Sequence, residues 1–172
     1  MGFQIVKGNI VEMETEAIVN AANSSLMRGG GVCGAIFYAA GARELQKECN
    51  RKAPCPTGSA VVTGGYQLKA KYIIHAVGPV WNGGSYGEEK QLIRAYQSAL
   101  QAAKEKECNS ISFPLIAAGI YGYPRELAIR TAVETITEFL RQNKMEIYLV
   151  LFDLETMQMA QEMFPQYITK KG

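Results

Sequence analysis

Three consecutive glycines, Gly29 to Gly31, are the feature that most limits how this chain can fold. Glycine loses more conformational freedom on folding than other residues, so such a run is favoured where the backbone takes a positive φ or approaches another group closely. The run lies between Ala17–Ala21, an apolar segment that predicts a strand, and Val32–Ala42, an alanine-rich segment that predicts a helix. The free N–H groups and the dipole at the start of such a helix favour an anion. A tight turn without a ligand is the alternative.

The same order of strand, small-residue loop and helix occurs a second time, around Phe113–Pro124. The strand is predicted at Ser110–Leu115, and the helix at Pro124–Leu140, where proline suits the first turn. Two such loops at one edge of a sheet could hold a diphosphate from both sides. Tyr121 has a glycine near it on either side, so its ring could lie over a ligand or be a core aromatic in a tight turn.

The remaining elements complete an α/β pattern within one domain over residues 1–172. Periodicity predicts strands at Phe3–Lys7, Ser59–Gly64, Tyr72–Val77 and Ile147–Phe152, and helices at Glu88–Glu107 and Glu155–Phe164. Strands that alternate with helices indicate a largely parallel sheet covered on both faces. Such sheets bind ligands beyond the carboxyl ends of their strands, which here means the loops after Ala21, Leu115 and Leu151.

Charge and composition argue against several classes of protein. A net charge of +2, without basic runs interleaved with aromatics, does not favour a nucleic-acid partner. No apolar run is long enough to span a membrane, and the first residues do not resemble a signal peptide, so we expect a cytoplasmic protein. Four cysteines without a C-x-x-C pair, and a single histidine, do not favour a zinc site. We therefore expect reduced thiols and neither a metal nor a cofactor, although Cys49 and Cys55 could face each other.

Several single residues admit two interpretations. His75 lies among apolar neighbours and is expected to be a hydrogen-bonded core residue rather than a catalytic base. Cys33, near a helix start, could be an activated nucleophile or a small residue that lines the site. Phe152 could stack on a base or belong to the core. A dinucleotide fingerprint at Gly29, Gly31 and Gly34 is weak, because no second strand ending in an acidic residue follows, so a nicotinamide-dependent dehydrogenase is poorly supported.

Five motifs in order along nearly the whole chain together resemble the macrodomain family. They are Gly8-Asn9-Ile10, the segment from Glu16 to Asn23, the triple glycine, His75-Ala76-Val77-Gly78-Pro79, and Ala118-Gly119-Ile120-Tyr121-Gly122. The resemblance implies a three-layer α/β/α sandwich with a mixed, largely parallel sheet of about six strands. It also implies ADP-ribose, ADP-ribosylated protein or O-acetyl-ADP-ribose as the ligand.

The resemblance further assigns roles to individual residues. The Asn9 amide oxygen accepts from the adenine amino group, the Ile10 backbone makes a second adenine contact, and Phe152 packs on adenine. Asn23 addresses the distal ribose. The first diphosphate loop comprises Gly30, Gly31, Val32 and Cys33, and the second comprises Ala118, Gly119, Ile120, Tyr121 and Gly122, with Tyr121 beside the distal ribose.

Two departures from the family pattern bear on activity. Asn9 replaces the usual aspartate, which removes a charge from the adenine contact. Cys33 and Phe37 stand where MacroD-type hydrolases carry an aspartate and a histidine. The resemblance therefore implies one of two functions. The first is hydrolysis of O-acetyl-ADP-ribose or mono-ADP-ribosylated Asp/Glu by water next to the substrate diphosphate, with Asn23 as the catalytic residue. The second is a non-catalytic ADP-ribose reader.

Overall fold

The computed structural model describes residues 2–169. Its strands are β1 (Phe3–Lys7), β2 (Ala17–Ala22), β3 (Ala60–Gly64), β4 (Tyr72–Val77), β5 (Ser110–Phe113) and β6 (Glu146–Leu151). Its α-helices are α1 (Gly31–Ala40), α2 (Ala42–Lys52), α3 (Glu88–Glu105), α4 (Arg125–Leu140) and α5 (Leu154–Met163). Short 3-10 helices occupy Ile10–Glu12 and Pro165–Tyr167.

The six strands form one mixed sheet in the order β1-β6-β5-β2-β4-β3. Every neighbouring pair is parallel except β3 and β4. Because parallel strands end at the same edge, the loops after β2, β4, β5 and β6 meet there. Helices α1 and α2 cover one face of the sheet, and α3, α4 and α5 cover the other. The predicted three-layer sandwich is therefore confirmed.

The two faces carry separate hydrophobic cores. In β2, Ala17 and Val19 pack towards α3 and α4, whereas Ile18 and Ala22 pack towards α1 and α2. This alternation follows from the two-residue period of a strand. Burial on both faces explains why the sequence of β2 is apolar almost throughout.

The prediction of one helix at Val32–Ala42 is wrong at its C-terminal end, because two helices occupy this region. Gly41, at a φ of 101°, ends α1, and a separate helix α2, which was not predicted, follows at once. Only Leu45 and Cys49 of α2 are buried, so its apolar periodicity is short. Other element boundaries shift by one or two residues. The strand predicted at Ser110–Leu115 ends earlier, at Phe113, and Phe152 lies beyond the end of β6.

His75 is a hydrogen-bonded core residue, as predicted. It lies opposite Asn20 in the β2–β4 ladder and is fully buried. The Asn20 amide Nδ2 donates to His75 Nδ1 at 3.0 Å, so the His75 Nε2–H donates to Thr63 Oγ1 at 2.9 Å. Burial lowers the pKa of His75 to about 4. A histidine held neutral in this way is not a general base for the cleft described below.

The depressed pKa of His75 predicts a stability that falls as the pH falls. Between its folded value of about 4 and its ordinary value of about 6.5, the unfolded chain binds a proton that the folded chain does not. We expect the free energy of unfolding to drop by roughly 1 to 2 kcal/mol from pH 6.5 to 5, a range above most carboxylate titration. Urea unfolding across this range measures the drop. His75 is the single histidine, so His75→Gln should flatten the slope, and an unchanged slope would contradict the assignment.

No α-helix within residues 2–169 is both long and apolar enough to cross a bilayer. Cys33, Cys49, Cys55 and Cys108 are buried, unpaired thiols. Cys49 and Cys55, which the sequence allowed to face each other, are therefore not bridged in this structure.

Candidate functional site

A cleft of about 360 Å³ opens at the carboxyl edge of the sheet, between the β2–α1 loop and the β5–α4 loop. It is lined by Ala21, Ala22, Asn23, Gly29, Gly30, Gly31, Val32, Cys33, Gly78, Leu115, Ile116, Ala117, Gly119, Ile120 and Tyr121. The structure thus brings the two predicted loops together across one cavity. Ala118 and Gly122, which the resemblance also assigned, lie in the second loop but not on the cavity wall.

The first loop presents free backbone donors at the start of α1. Gly30 is the N-cap residue, and no side chain caps the helix, so the N–H groups of its first turn have no side-chain partner. Gly31 has a φ of 56°, a conformation that favours glycine. A Cβ at Gly34 would lie 2.6 Å from the Gly29 carbonyl oxygen, so the loop closes tightly only with glycine there. The predicted anion-binding geometry is present at this helix start.

The second loop is a compact turn that meets the first over the cleft. Tyr123 N–H donates to the Ala117 carbonyl and Gly122 N–H to the Gly119 carbonyl, each at 3.0 Å. Ile120 is 83% exposed, yet its Cδ1 lies 3.5 Å from the position a Cβ would take at Gly30. The two loops therefore approach each other at the cleft mouth, with glycine on one side.

Asn23 stabilises the first loop as well as lining the cleft. Its Oδ1 accepts from Met27 N–H at 3.0 Å and from the Ser25 hydroxyl at 2.9 Å. Its Nδ2 donates to the Met27 carbonyl at 2.9 Å. An amide nitrogen carries two hydrogens, so one donor remains for a ligand, while both oxygen lone pairs are used. Asn23 can therefore donate a hydrogen bond to a bound ribose, but it is not available as an acceptor.

Cys33 lies on the cleft floor and contacts the polar pair of the core. Its Sγ is 3.6 Å from Asn20 Nδ2, and its thiol donates to the Met27 carbonyl at 3.7 Å. Its side chain is almost completely buried. No histidine contacts it, because the ring of His75 is separated from the thiol by Asn20. This environment suits a small residue that packs beneath a ligand.

Asn9, Ile10 and Phe152 form a separate group at the β1–β6 side of the same edge. Lys7 pairs with Leu151 in the ladder, which places the residues that follow each strand side by side. Phe152 is 72% exposed, so it is not a core residue. Asn9 Oδ1 accepts from Val11 N–H at 3.2 Å. None of the three lines the cavity described above.

Backbone dipoles rather than side-chain charges dominate the electrostatics of the cleft. Its lining includes no Asp, Glu, His, Lys or Arg. Within residues 2–169 no three His, Cys, Asp or Glu side chains cluster as metal ligands would. The donors among the lining residues are therefore backbone N–H groups, the Asn23 amide and the Tyr121 hydroxyl, and they suit an anion with ribose hydroxyls.

Gly78 lines the cleft, although its sequence context did not predict a role there. A Cβ at Gly78 would lie 2.7 Å from Ile116 Cγ2 and 3.1 Å from the Ala117 Cβ. A glycine is thus required for the β4–α3 loop to pack against the β5–α4 loop. The available signal was the Gly78-Pro79 pair at the end of a predicted strand, which indicates a turn.

A wider groove of about 690 Å³ runs between α3 and α4, lined by side chains such as Gln97, Gln101 and Glu138. It lies along helix flanks rather than at the strand ends. It also lacks the free helix-start donors of the smaller cleft. The smaller cleft is therefore the candidate functional site.

Comparison with known proteins identifies the family. The model of the family described as Macro domain matches residues 19–132. A protein of Citrobacter rodentium named O-acetyl-ADP-ribose deacetylase is 45% identical, and the alignment covers 94% of this chain and 94% of that protein. The Oceanobacillus iheyensis macrodomain, solved with ADP, is 42% identical with a TM-score of 0.88, covering 94% and 89% of the two chains. The Trypanosoma brucei macrodomain, solved in complex with ADP-ribose, is 33% identical with a TM-score of 0.87, covering 94% and 68%. This chain therefore belongs to the macrodomain family.

Proposed function

We propose that this chain binds ADP-ribose and hydrolyses ADP-ribosyl esters, either O-acetyl-ADP-ribose or mono-ADP-ribosylated Asp/Glu. The observation that carries the proposal is the pair of opposed loops on either side of one cleft, with the uncapped start of α1 on one of those sides. A diphosphate fits between two sets of backbone donors. The solved macrodomains with ADP and ADP-ribose, and the relative named a deacetylase, support the same ligand.

In this proposal each group of residues holds one part of the ligand. Gly30, Gly31, Val32 and Cys33 face the diphosphate from one side, and Ala118, Gly119, Ile120, Tyr121 and Gly122 face it from the other. Asn9, Ile10 and Phe152 hold the adenine, and the exposed ring of Phe152 stacks on it. Asn23 donates its remaining N–H to the distal ribose.

The chemistry requires no covalent intermediate. A water beside the diphosphate attacks the ester, and the products are ADP-ribose and the free carboxylate. Backbone N–H groups stabilise the negative charge that develops, as oxyanion-hole donors do. Because the cleft lining carries no general base, the substrate itself must help to position the water. General-base catalysis typically contributes about 10²–10⁴-fold, so we expect slow turnover.

A non-catalytic reader is the second candidate, and the same uncharged lining favours it. No carboxylate or imidazole lines the cleft to activate water. Binding would be unaffected, because it depends on backbone donors and Asn23. The two candidates differ only in turnover.

Calorimetry and a single-turnover assay together test this proposal. We expect ADP-ribose to bind with a micromolar Kd, equivalent to about −8 kcal/mol. AMP should bind far more weakly, because it leaves the distal ribose position empty. Equal affinity for the two ligands would contradict this arrangement of the cleft. Binding without hydrolysis of an ester-linked substrate would establish the reader.

Asn9→Asp should tighten ADP-ribose binding by about 3- to 10-fold, because a charged acceptor makes the stronger hydrogen bond. Asn9 Oδ1 already accepts from Val11 N–H, and its Nδ2 can only donate. An aspartate would serve Val11 with one oxygen and the adenine amino group with the other. Calorimetry with AMP should show the same gain, whereas ribose 5-phosphate, which lacks the base, should show none. A loss of affinity for ADP-ribose would exclude the adenine contact.

A further inference from the structure

A small cavity of about 110 Å³ lies beside the cleft, against the β4–α3 loop. Its aromatic walls are Trp81 and Tyr123, whose ring centroids are 4.7 Å apart. Gly78 and Tyr121, a few residues away along the same two loops, line the cleft. The backbone N–H of Trp81 donates to the Tyr121 carbonyl at 2.8 Å and joins the two loops. The cavity and the cleft are therefore neighbours at the carboxyl edge of the sheet.

The polar groups of this cavity carry a net negative charge. Glu89 and Glu134 line it, with Arg130 as the single cation among its lining residues. Among the described residues neither carboxylate takes part in an ion pair. Burial raises the pKa of Tyr123, and the nearby charge of Glu89 adds to the increase. Aromatic rings beside unpaired carboxylates favour a cation.

The loop that forms one wall is held in place by Glu88. Its buried carboxylate accepts from the backbone N–H groups of Asn82, Gly84 and Tyr86 at 2.8, 2.9 and 2.7 Å. Burial alone would raise the pKa of Glu88, but these hydrogen bonds outweigh it and lower the pKa to about 2. Glu88 therefore stays ionised and fully hydrogen-bonded, which keeps the wall ordered without a ligand.

Exposed apolar side chains lie at the cavity and in the loop that forms its wall. Leu127 lines it, Val80 precedes Trp81, and Tyr86 lies in the same loop, and all three are exposed. Clustered exposed apolar groups beside a binding site are typical of a protein-docking surface. The volume of the cavity suits the end of one long side chain and not a second nucleotide.

The strand order places this cavity at the end of the cleft opposite Phe152. Strands β5 and β2 separate β6, which precedes Phe152, from β4, which precedes Val80. With adenine at Phe152, as proposed above, the distal ribose lies towards β4. A protein joined to that ribose that leaves the cleft on the β4 side passes over the cavity.

We propose that this cavity receives a lysine or arginine side chain of the protein that carries the ADP-ribosyl group. This inference rests on the proposed function, because the proposed function supplies the orientation of ADP-ribose in the cleft. The cation lies against the aromatic wall that the contacting Trp81 and Tyr123 rings form, and it pairs with Glu89 and Glu134. Substrates with a basic residue close to the modified Asp or Glu are therefore preferred over neutral ones.

Calorimetry with matched ligands tests this preference. The ligands are free ADP-ribose and two peptide sets that carry ADP-ribose on a stable amide linkage, with either lysine or norleucine near the attachment point. We expect the best lysine peptide to bind about 5-fold more tightly than its norleucine partner, and less so at high salt. Glu89→Gln combined with Glu134→Gln should abolish this difference and leave the Kd of free ADP-ribose unchanged.

A matched control separates a local effect from net charge. Glu105→Gln combined with Glu162→Gln removes two carboxylates from exposed positions of α3 and α5, and it should keep the lysine preference. Equal binding of the two peptide sets, or a preference that survives in the Glu89→Gln/Glu134→Gln variant, would overturn this inference. Failure of free ADP-ribose to bind would instead contradict the proposed function.

Discussion

Gly30→Glu should weaken ADP-ribose binding by about 100-fold, because two like charges a few ångströms apart in a cleft of reduced dielectric repel by several kcal/mol. Gly30 has an extended backbone, with φ −91° and ψ −173°, so a larger residue is accommodated there without strain. A Cβ at this position would make only an ordinary contact with Ile120, at 3.5 Å. The added carboxylate would then extend into the space assigned to the diphosphate. Calorimetric titration of the folded variant measures the loss.

Gly30→Gln is the control for this prediction, because it adds the same bulk without the charge. We expect a smaller loss for Gly30→Gln, and the difference between the two variants should shrink as salt screens the repulsion. Gly31 is a poorer choice, since its φ of 56° would strain any other residue. Full affinity in a folded Gly30→Glu protein would show that the first loop does not contact the diphosphate.

Asn23→Ala should lower single-turnover hydrolysis of an ester-linked substrate by about 100-fold, because the distal ribose is no longer held in a reactive position. The variant also removes the hydrogen bonds of Asn23 to Met27 and Ser25, which stabilise the loop. Ser25→Ala isolates part of that effect, since it removes one of these bonds and does not reach the cleft lining. We expect Ser25→Ala to keep most of the activity.

Cys33→Ala distinguishes the proposed mechanism from thiol chemistry. Because Cys33 packs beneath the ligand and contacts no histidine, most activity should survive its removal. A Cys33→Ala protein that binds ADP-ribose but has lost all turnover would mean that the thiol is catalytic. If the wild-type protein binds ADP-ribose and hydrolyses no ester, Asn23→Ala should reduce affinity only.

Local patterns were enough to predict the architecture. Alternating apolar segments and glycine-rich junctions predicted all six strands, and the strand–loop–helix order placed Gly29–Gly31 and Ala118–Gly122 at one edge. This works because strand burial and helix starts depend on residues close in sequence. The helix α2 was missed for the same reason: a segment that buries only Leu45 and Cys49 has little apolar period to detect.

Only the tertiary structure decided which groups at the carboxyl edge of the sheet are available to a ligand. The resemblance to macrodomains predicted Asn23 for the site. The fold of its loop places that side chain on the cleft lining and leaves it with one donor and no acceptor. The requirement for glycine at position 78 arises from contact with Ile116, which is distant in sequence. The cavity beside Trp81 and Tyr123 likewise joins two segments that are distant in sequence. Such features depend on which loops pack together, and packing between distant segments leaves no periodic signal in the chain.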